Sequence, residues 1–136
     1  MSGAPVDLLR QVPLFAELDQ KELEAVARLF KTRRFSTGET VIKEGSGGAA
    51  FFLIESGEAE VTVKGKRRSP LTAGAHFGEV ALIDGKQRSA TITATSDLVC
   101  YGLTYWDFQP LVQENAAIAW GLLQSVVKLL RANLDD

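Results

Sequence analysis

Phe77-Gly78-Glu79-Val80-Ala81-Leu82-Ile83-Asp84-Gly85-Lys86-Gln87-Arg88-Ser89-Ala90-Thr91 is the most informative run in the chain. Residues 78–83 read as one short helical turn that opens on a glycine and a carboxylate. A polar bridge over residues 84–87 follows, then an arginine, a serine and two further small residues. A turn of this kind can present free backbone N–H groups, which suit a phosphate. Arg88 adds a planar fork of donors that matches two phosphate oxygens at once. Glu79 adds an acceptor for sugar hydroxyls, as acidic residues do for ribose in dinucleotide-binding folds. One compact ligand carrying both phosphate and ribose satisfies all three. A plain buried turn joining two strands accounts for Phe77, Ala81 and Leu82. It does not account for Glu79 and Arg88, because charges inside an apolar run must be paired or exposed.

Outward from this run, residues 34–104 carry a period of two. Residues 40–43, 50–55, 58–63, 89–94 and 97–103 are short and strand-like, and glycine-bearing turns separate them. About eight short strands with frequent turns predict a sandwich or jelly roll. Helical periodicity frames them on both sides. Asp19 with Glu22 forms a capping-box start for a helix carrying Leu23, Val26, Ala27 and Phe30. Thr104 is placed to cap a short helix containing Trp106, Phe108 and Leu111. A longer helix spans about residues 116–133. Its apolar residues, from Ile118 through Leu122, Leu123, Val126 and Val127 to Leu130, cover more surface than one stripe against one core requires. Part of that surface is expected to meet a ligand, a second subunit or a following domain; the plainer alternative is that both flanks pack on the barrel.

The central run resembles the phosphate-binding cassette of cyclic nucleotide-binding domains: Phe-Gly-Glu, an aliphatic residue, Ala-Leu, a short bridge, then Arg with small residues after it. Gly38-Glu39, Gly45, Gly57 and Gly74 fall where that family's turns fall, and Leu14-Phe15 resembles its N-terminal lead-in. The resemblance covers about residues 8–134. It implies a mainly β fold, an eight-stranded antiparallel jelly roll (a double-stranded β-helix, cupin-like) with an N-terminal helix and C-terminal helices. It implies a single domain over 1–136, with a helical segment over 7–33, the jelly roll over 34–104 and the closing helices over 105–134.

The resemblance also assigns the ligand contacts. Glu79 accepts from the ribose 2′-hydroxyl, and Arg88 binds the exocyclic phosphate oxygens. Backbone groups near Gly78, Ala81, Ser89 and Ala90 complete the anion nest. Phe77 and Val80 belong to the same contact set, and Val61 and Leu71 fall, with Phe77, where the family lines its base pocket. The implied function is a regulatory sensor of a 3′,5′-cyclic nucleotide, cyclic AMP ahead of cyclic GMP, signalling through movement of the last helix. Ser89 fits either base. No threonine–serine pair of the catabolite activator type marks the last helix, which leaves Val126, Val127, Lys128 and Leu130 as candidates to cap the base. The alternatives left open are a ligand-free interaction or dimerisation module of the same fold, and the sensing part of a larger regulator or channel. The initial methionine leans towards a stand-alone protein. The family pattern is departed from at Gly47-Gly48-Ala49-Ala50, where many members carry an acidic residue, and at His76, just before the cassette.

Composition excludes several other classes. A formal net charge of −2 with scattered basic residues argues against a nucleic-acid surface. The clusters around Lys31 and Lys64 read as solvated faces. There is no apolar run of about 18 residues, so no membrane insertion is expected. One cysteine, Cys100, rules out an internal disulfide and fits a reducing compartment, the cytoplasm. One histidine cannot build a metal site or a cupin-type enzyme centre. The glycine run at 45–48 is neither a Walker loop nor a nucleophile elbow. No catalytic function and no cofactor are expected.

Overall fold

The computed structural model describes residues 3–45, 50–86 and 90–135. A helical lead-in comes first: α1 (Val6–Arg10), a 3-10 turn (Pro13–Phe15) and α2 (Gln20–Ala27). Strands β1 (Lys31–Phe35), β2 (Thr40–Ile42), β3 (Ala50–Ser56), β4 (Ala59–Val63), β5 (Lys66–Arg67) and β6 (His76–Phe77) follow. Next come the short α3 (Glu79–Asp84), then β7 (Thr91–Ala94) and β8 (Leu98–Thr104). The chain closes with α4 (Tyr105–Glu114) and α5 (Ala116–Asp135).

The strands form two four-stranded antiparallel sheets, ordered β1-β8-β3-β6 and β2-β7-β4-β5. This is the jelly roll expected from the sequence. Its first sheet is covered on both faces. Phe52 and Ile54 of β3, with Leu98 and Cys100 of β8, point between the sheets, where they meet Ile42, Ile92 and Ala94. Phe51, Leu53, Tyr101 and Leu103 point the other way, into a second core built with the helices. That double burial explains why β3 reads as a continuous apolar run and not an alternation. Phe51 is the centre of the second core, edge-on to Phe15 at 5.7 Å and to Phe30 at 6.1 Å.

The helix ends follow their sequence signals. The Asp19 carboxylate accepts from the Glu22 amide at 2.8 Å, and Glu22 accepts in turn from the Asp19 amide at 2.9 Å. Thr104 Oγ1 accepts from the Asp107 amide at 3.1 Å. The helical segment expected over 7–33 ends earlier, because β1 begins at Lys31. Among the described residues β1 is an edge strand that pairs with β8 alone, and its cations Lys31, Arg33 and Arg34 are exposed. Such an edge needs no apolar alternation, and its charges discourage pairing with another chain. The basic cluster near Lys64 likewise lies on the exposed hairpin of β4 and β5, where Arg67 Nε donates to Glu60 at 2.6 Å.

α5 packs on the lead-in. Ile118 and Leu122 are buried there, and Gly121 lies so close that a Cβ would stand 2.7 Å from Leu18 Cδ2. Lys128 Nζ donates to Glu17 at 2.8 Å across the same contact. Beyond it, Leu123 is 56% and Leu130 55% exposed, so the part of the wide apolar face read from the sequence that lies past Leu122 is uncovered.

Candidate functional site

Three elements of the second sheet floor an open cleft of about 810 Å³. Ile92 of β7 stands opposite Ile42 of β2 on one side and Val61 of β4 on the other. Leu71 joins this apolar floor because a two-way backbone bridge, 2.9 Å in each direction, pins it to Ala59.

The opposite wall is the β6–α3 junction. Phe77 lines the cleft and stacks on Phe52 at 5.3 Å. Gly78 then adopts φ 95°, a left-handed conformation that an L side chain resists. It is the N-cap of α3, whose first residue is Glu79. Leu82, fully buried, anchors the helix to the second core, and its amide donates to Gly78 O at 3.0 Å. Gly78, Glu79, Val80 and Ala81 line the cleft, and the amides of this first turn have no acceptor inside the helix. Ala90 closes that side.

Glu79 is the acidic group held deepest at this wall, its side chain 29% exposed. Oε1 lies 3.1 Å from Nδ1 of His76, while Oε2 is buried and has no hydrogen-bond partner among the described residues. At the mouth, Asp84 is occupied by the Lys86 amide at 2.9 Å, and Arg68 and Ser69 stand on the far rim.

Of the residues singled out from the sequence, Val61, Leu71, Phe77, Gly78, Glu79, Val80, Ala81 and Ala90 share this one cleft. Arg88 and Ser89 lie outside the described residues. Sequence reasoning missed Ile42, Ile92, Arg68, Ser69, Asp84 and Lys86. The two isoleucines had a usable signal, since period-two alternation puts them on the inward face with Val61. The rim residues had none. Among the described residues no cluster of metal-ligating side chains occurs, and no helix is long and apolar enough to cross a membrane.

An antiparallel jelly roll with an apolar-floored cleft, walled by a glycine-started helical turn and a half-buried carboxylate, defines a small-molecule-binding domain. A family model described as "Cyclic nucleotide-binding domain" matches residues 32–115, well over half of the chain, and the chain belongs to that family. It is similar to the cAMP-dependent protein kinase regulatory subunit of Colletotrichum orbiculare, 38% identical over 78% of this chain and 28% of that protein. It is also similar to the cGMP-dependent protein kinase of Plasmodium berghei, 37% identical over 71% of this chain and 11% of that protein. The chain thus spans less than a third of these curated relatives. Among solved structures, the N-terminal domain of a transcriptional regulator from Streptomyces coelicolor superposes with a TM-score of 0.84 at 27% identity, covering 95% of this chain and 96% of that one. The Catabolite Activator Protein of Thermus thermophilus follows with a TM-score of 0.69 at 28% identity, covering 91% of this chain and 61% of that one.

Proposed function

We propose that this chain binds a 3′,5′-cyclic nucleotide in the cleft, cyclic AMP in preference to cyclic GMP, as the sensing part of a regulator. The observation that carries the reading is the convergence of a half-buried carboxylate, a left-handed glycine and an apolar floor on one cleft. Its volume of about 810 Å³ falls within the roughly 300–1,000 Å³ of pockets that hold small ligands. Glu79 receives the ribose 2′-hydroxyl, and Val61, Leu71 and Phe77 pack against the base. Arg88, Ser89 and Ala90 bind the cyclic phosphate; for Arg88 and Ser89 the assignment rests on the cassette pattern. The names of relatives such as the regulatory subunits of cAMP-dependent kinases support cyclic AMP as ligand.

The signal passes through α5. Its uncovered residues Leu123, Val126, Val127 and Leu130 have apolar area to gain by moving against ligand or partner. A ligand shifts the helix only as far as its affinities for the two arrangements differ. A dimer seam on the same face is the second reading, favoured by that exposure. Calorimetry with cyclic AMP and cyclic GMP, run beside Arg88→Ala, tests the binding. Micromolar affinity that the variant loses supports it, and no heat from a folded, nucleotide-free wild type rejects it. Equal hydrogen exchange over residues 114–134 with and without ligand would reject the α5 mechanism. Loss of a dimer in Leu123→Glu/Val126→Glu, with nucleotide binding kept, would separate the seam from the site.

A further inference from the structure

His76 is the single histidine of the chain and sits immediately before the cassette. It occupies β6 opposite Leu53 of β3, and its ring lies against the fully buried Phe51 with centroids 5.7 Å apart. The imidazole is thus wedged between the aromatic core and the first residue of α3. Its Nδ1 approaches Glu79 Oε1 to 3.1 Å, a hydrogen-bond distance, but off the axis that a bond requires. Two buried polar atoms, His76 Nδ1 and Glu79 Oε2, consequently have no partner among the described residues. One can donate and the other can accept. The terminal torsion of a glutamate is soft and two-fold, so a modest turn of the carboxylate converts the contact into a bond. Buried polar atoms left without partners are costly, which drives that adjustment.

We propose that His76 is a positioning residue for Glu79. As the neutral Nδ1–H tautomer it donates to one carboxylate oxygen and turns the other towards the ribose 2′-hydroxyl. This deepens the proposed function and rests on it. Other acids on the surrounding elements are engaged elsewhere. Asp84 of α3 accepts from the Lys86 amide, and Glu55 of β3 lies beside Tyr101 of β8. Glu79 is the carboxylate within reach of Nδ1. A phenylalanine at 76 would keep the packing on Phe51 and lose only the donor.

The test is a ligand pair as much as a mutation. Wild type and His76→Phe are titrated with cyclic AMP and with its 2′-deoxy analogue. His76→Phe is expected to weaken cyclic AMP about tenfold, the value of one hydrogen bond, and to change the 2′-deoxy ligand less than about twofold. Equal losses for both ligands would show a merely structural role and overturn the proposal, as would no loss for either. A second measurement needs no ligand. Nitrogen-15 spectra of the ring should show Nδ1–H in the neutral wild type and Nε2–H in Glu79→Leu, which has no acceptor at that position. If neither ligand binds, the reading beneath the proposal falls, and the tautomer alone decides the His76–Glu79 bond. Nε2–H in the wild type would overturn it.

Discussion

Replacing Glu79 with leucine should separate binding from stability in one step. In the folded protein Oε2 is buried without a partner among the described residues. An unsatisfied buried acceptor costs about 1–3 kcal/mol, more when charged, and leucine removes it at similar volume. Against this stands the loss of a negative charge in the first turn of α3, about 0.3–1 kcal/mol of favourable interaction with the helix dipole. The buried Nδ1 of His76 loses its carboxylate neighbour in the variant and offsets that gain, so the sum predicts unfolding free energy unchanged to within about 1 kcal/mol. Binding goes the other way. A hydrogen bond from ribose to a charged acceptor is worth about 1.5–3 kcal/mol, so the dissociation constant should rise roughly 10- to 150-fold. Urea unfolding followed by fluorescence reads the first number and calorimetry the second. A variant that loses more than about 1 kcal/mol of stability, or that binds cyclic AMP as the wild type does, would refute the assignment of this carboxylate to ligand.

Arg88→Ala should remove cyclic nucleotide binding at any accessible concentration, since the ligand anion is left without its charged partner; calorimetry reads it directly. Phe51→Ala should lower unfolding free energy by about 3–5 kcal/mol, because the ring it deletes is fully buried among Phe15, Phe30 and His76. Burial pushes the Cys100 thiol from 9.0 to about 11, against the opposing pull of the Arg33 guanidinium. The folded state therefore favours the neutral thiol. That contribution is complete below pH 9 and is lost as pH climbs towards 11, on the order of 3 kcal/mol of unfolding free energy, read from urea unfolding across that range. In Cys100→Ala this part of the alkaline loss should vanish. For the same reason the native thiol should resist alkylation at pH 8, and rapid labelling would contradict its burial.

The readable parts of the chain are those where local chemistry and the final fold agree. Asp19, Glu22 and Thr104 cap the helices their spacing implies. Strands β3, β4 and β8 carry the apolar residues that face the two cores. The residues of the central run from Phe77 to Ala81 meet Val61 and Leu71 in one cleft. β1 was illegible because an edge strand answers to its neighbour's backbone, and its exposed side chains record nothing of that pairing. β5 and β6 are two residues each, too short for any period to show. The rim position of Lys86 and Arg68 depends on how loops from different strands converge, which no local pattern encodes. The docking of α5 was hidden for a related reason. A glycine sits in that contact, and Gly121 carries no side chain to advertise what it packs against.

The first sheet has a further consequence. Phe51 and Phe52 are chain neighbours that serve opposite cores, and Tyr101 and Cys100 repeat the arrangement on β8. The β-structure and the helices are therefore two rooms sharing one wall a single residue thick. Cutting the chain at Thr104 would not release a minimal binding barrel. It would remove Phe108, Ile118 and Leu122 from the core they share with Phe51, Leu53, Tyr101 and Leu103 and leave part of that apolar surface in water, the kind of surface that drives aggregation. The smallest unit that can be expressed, transplanted or fused intact is the barrel with its helices, and joints to other proteins belong at the chain's two ends.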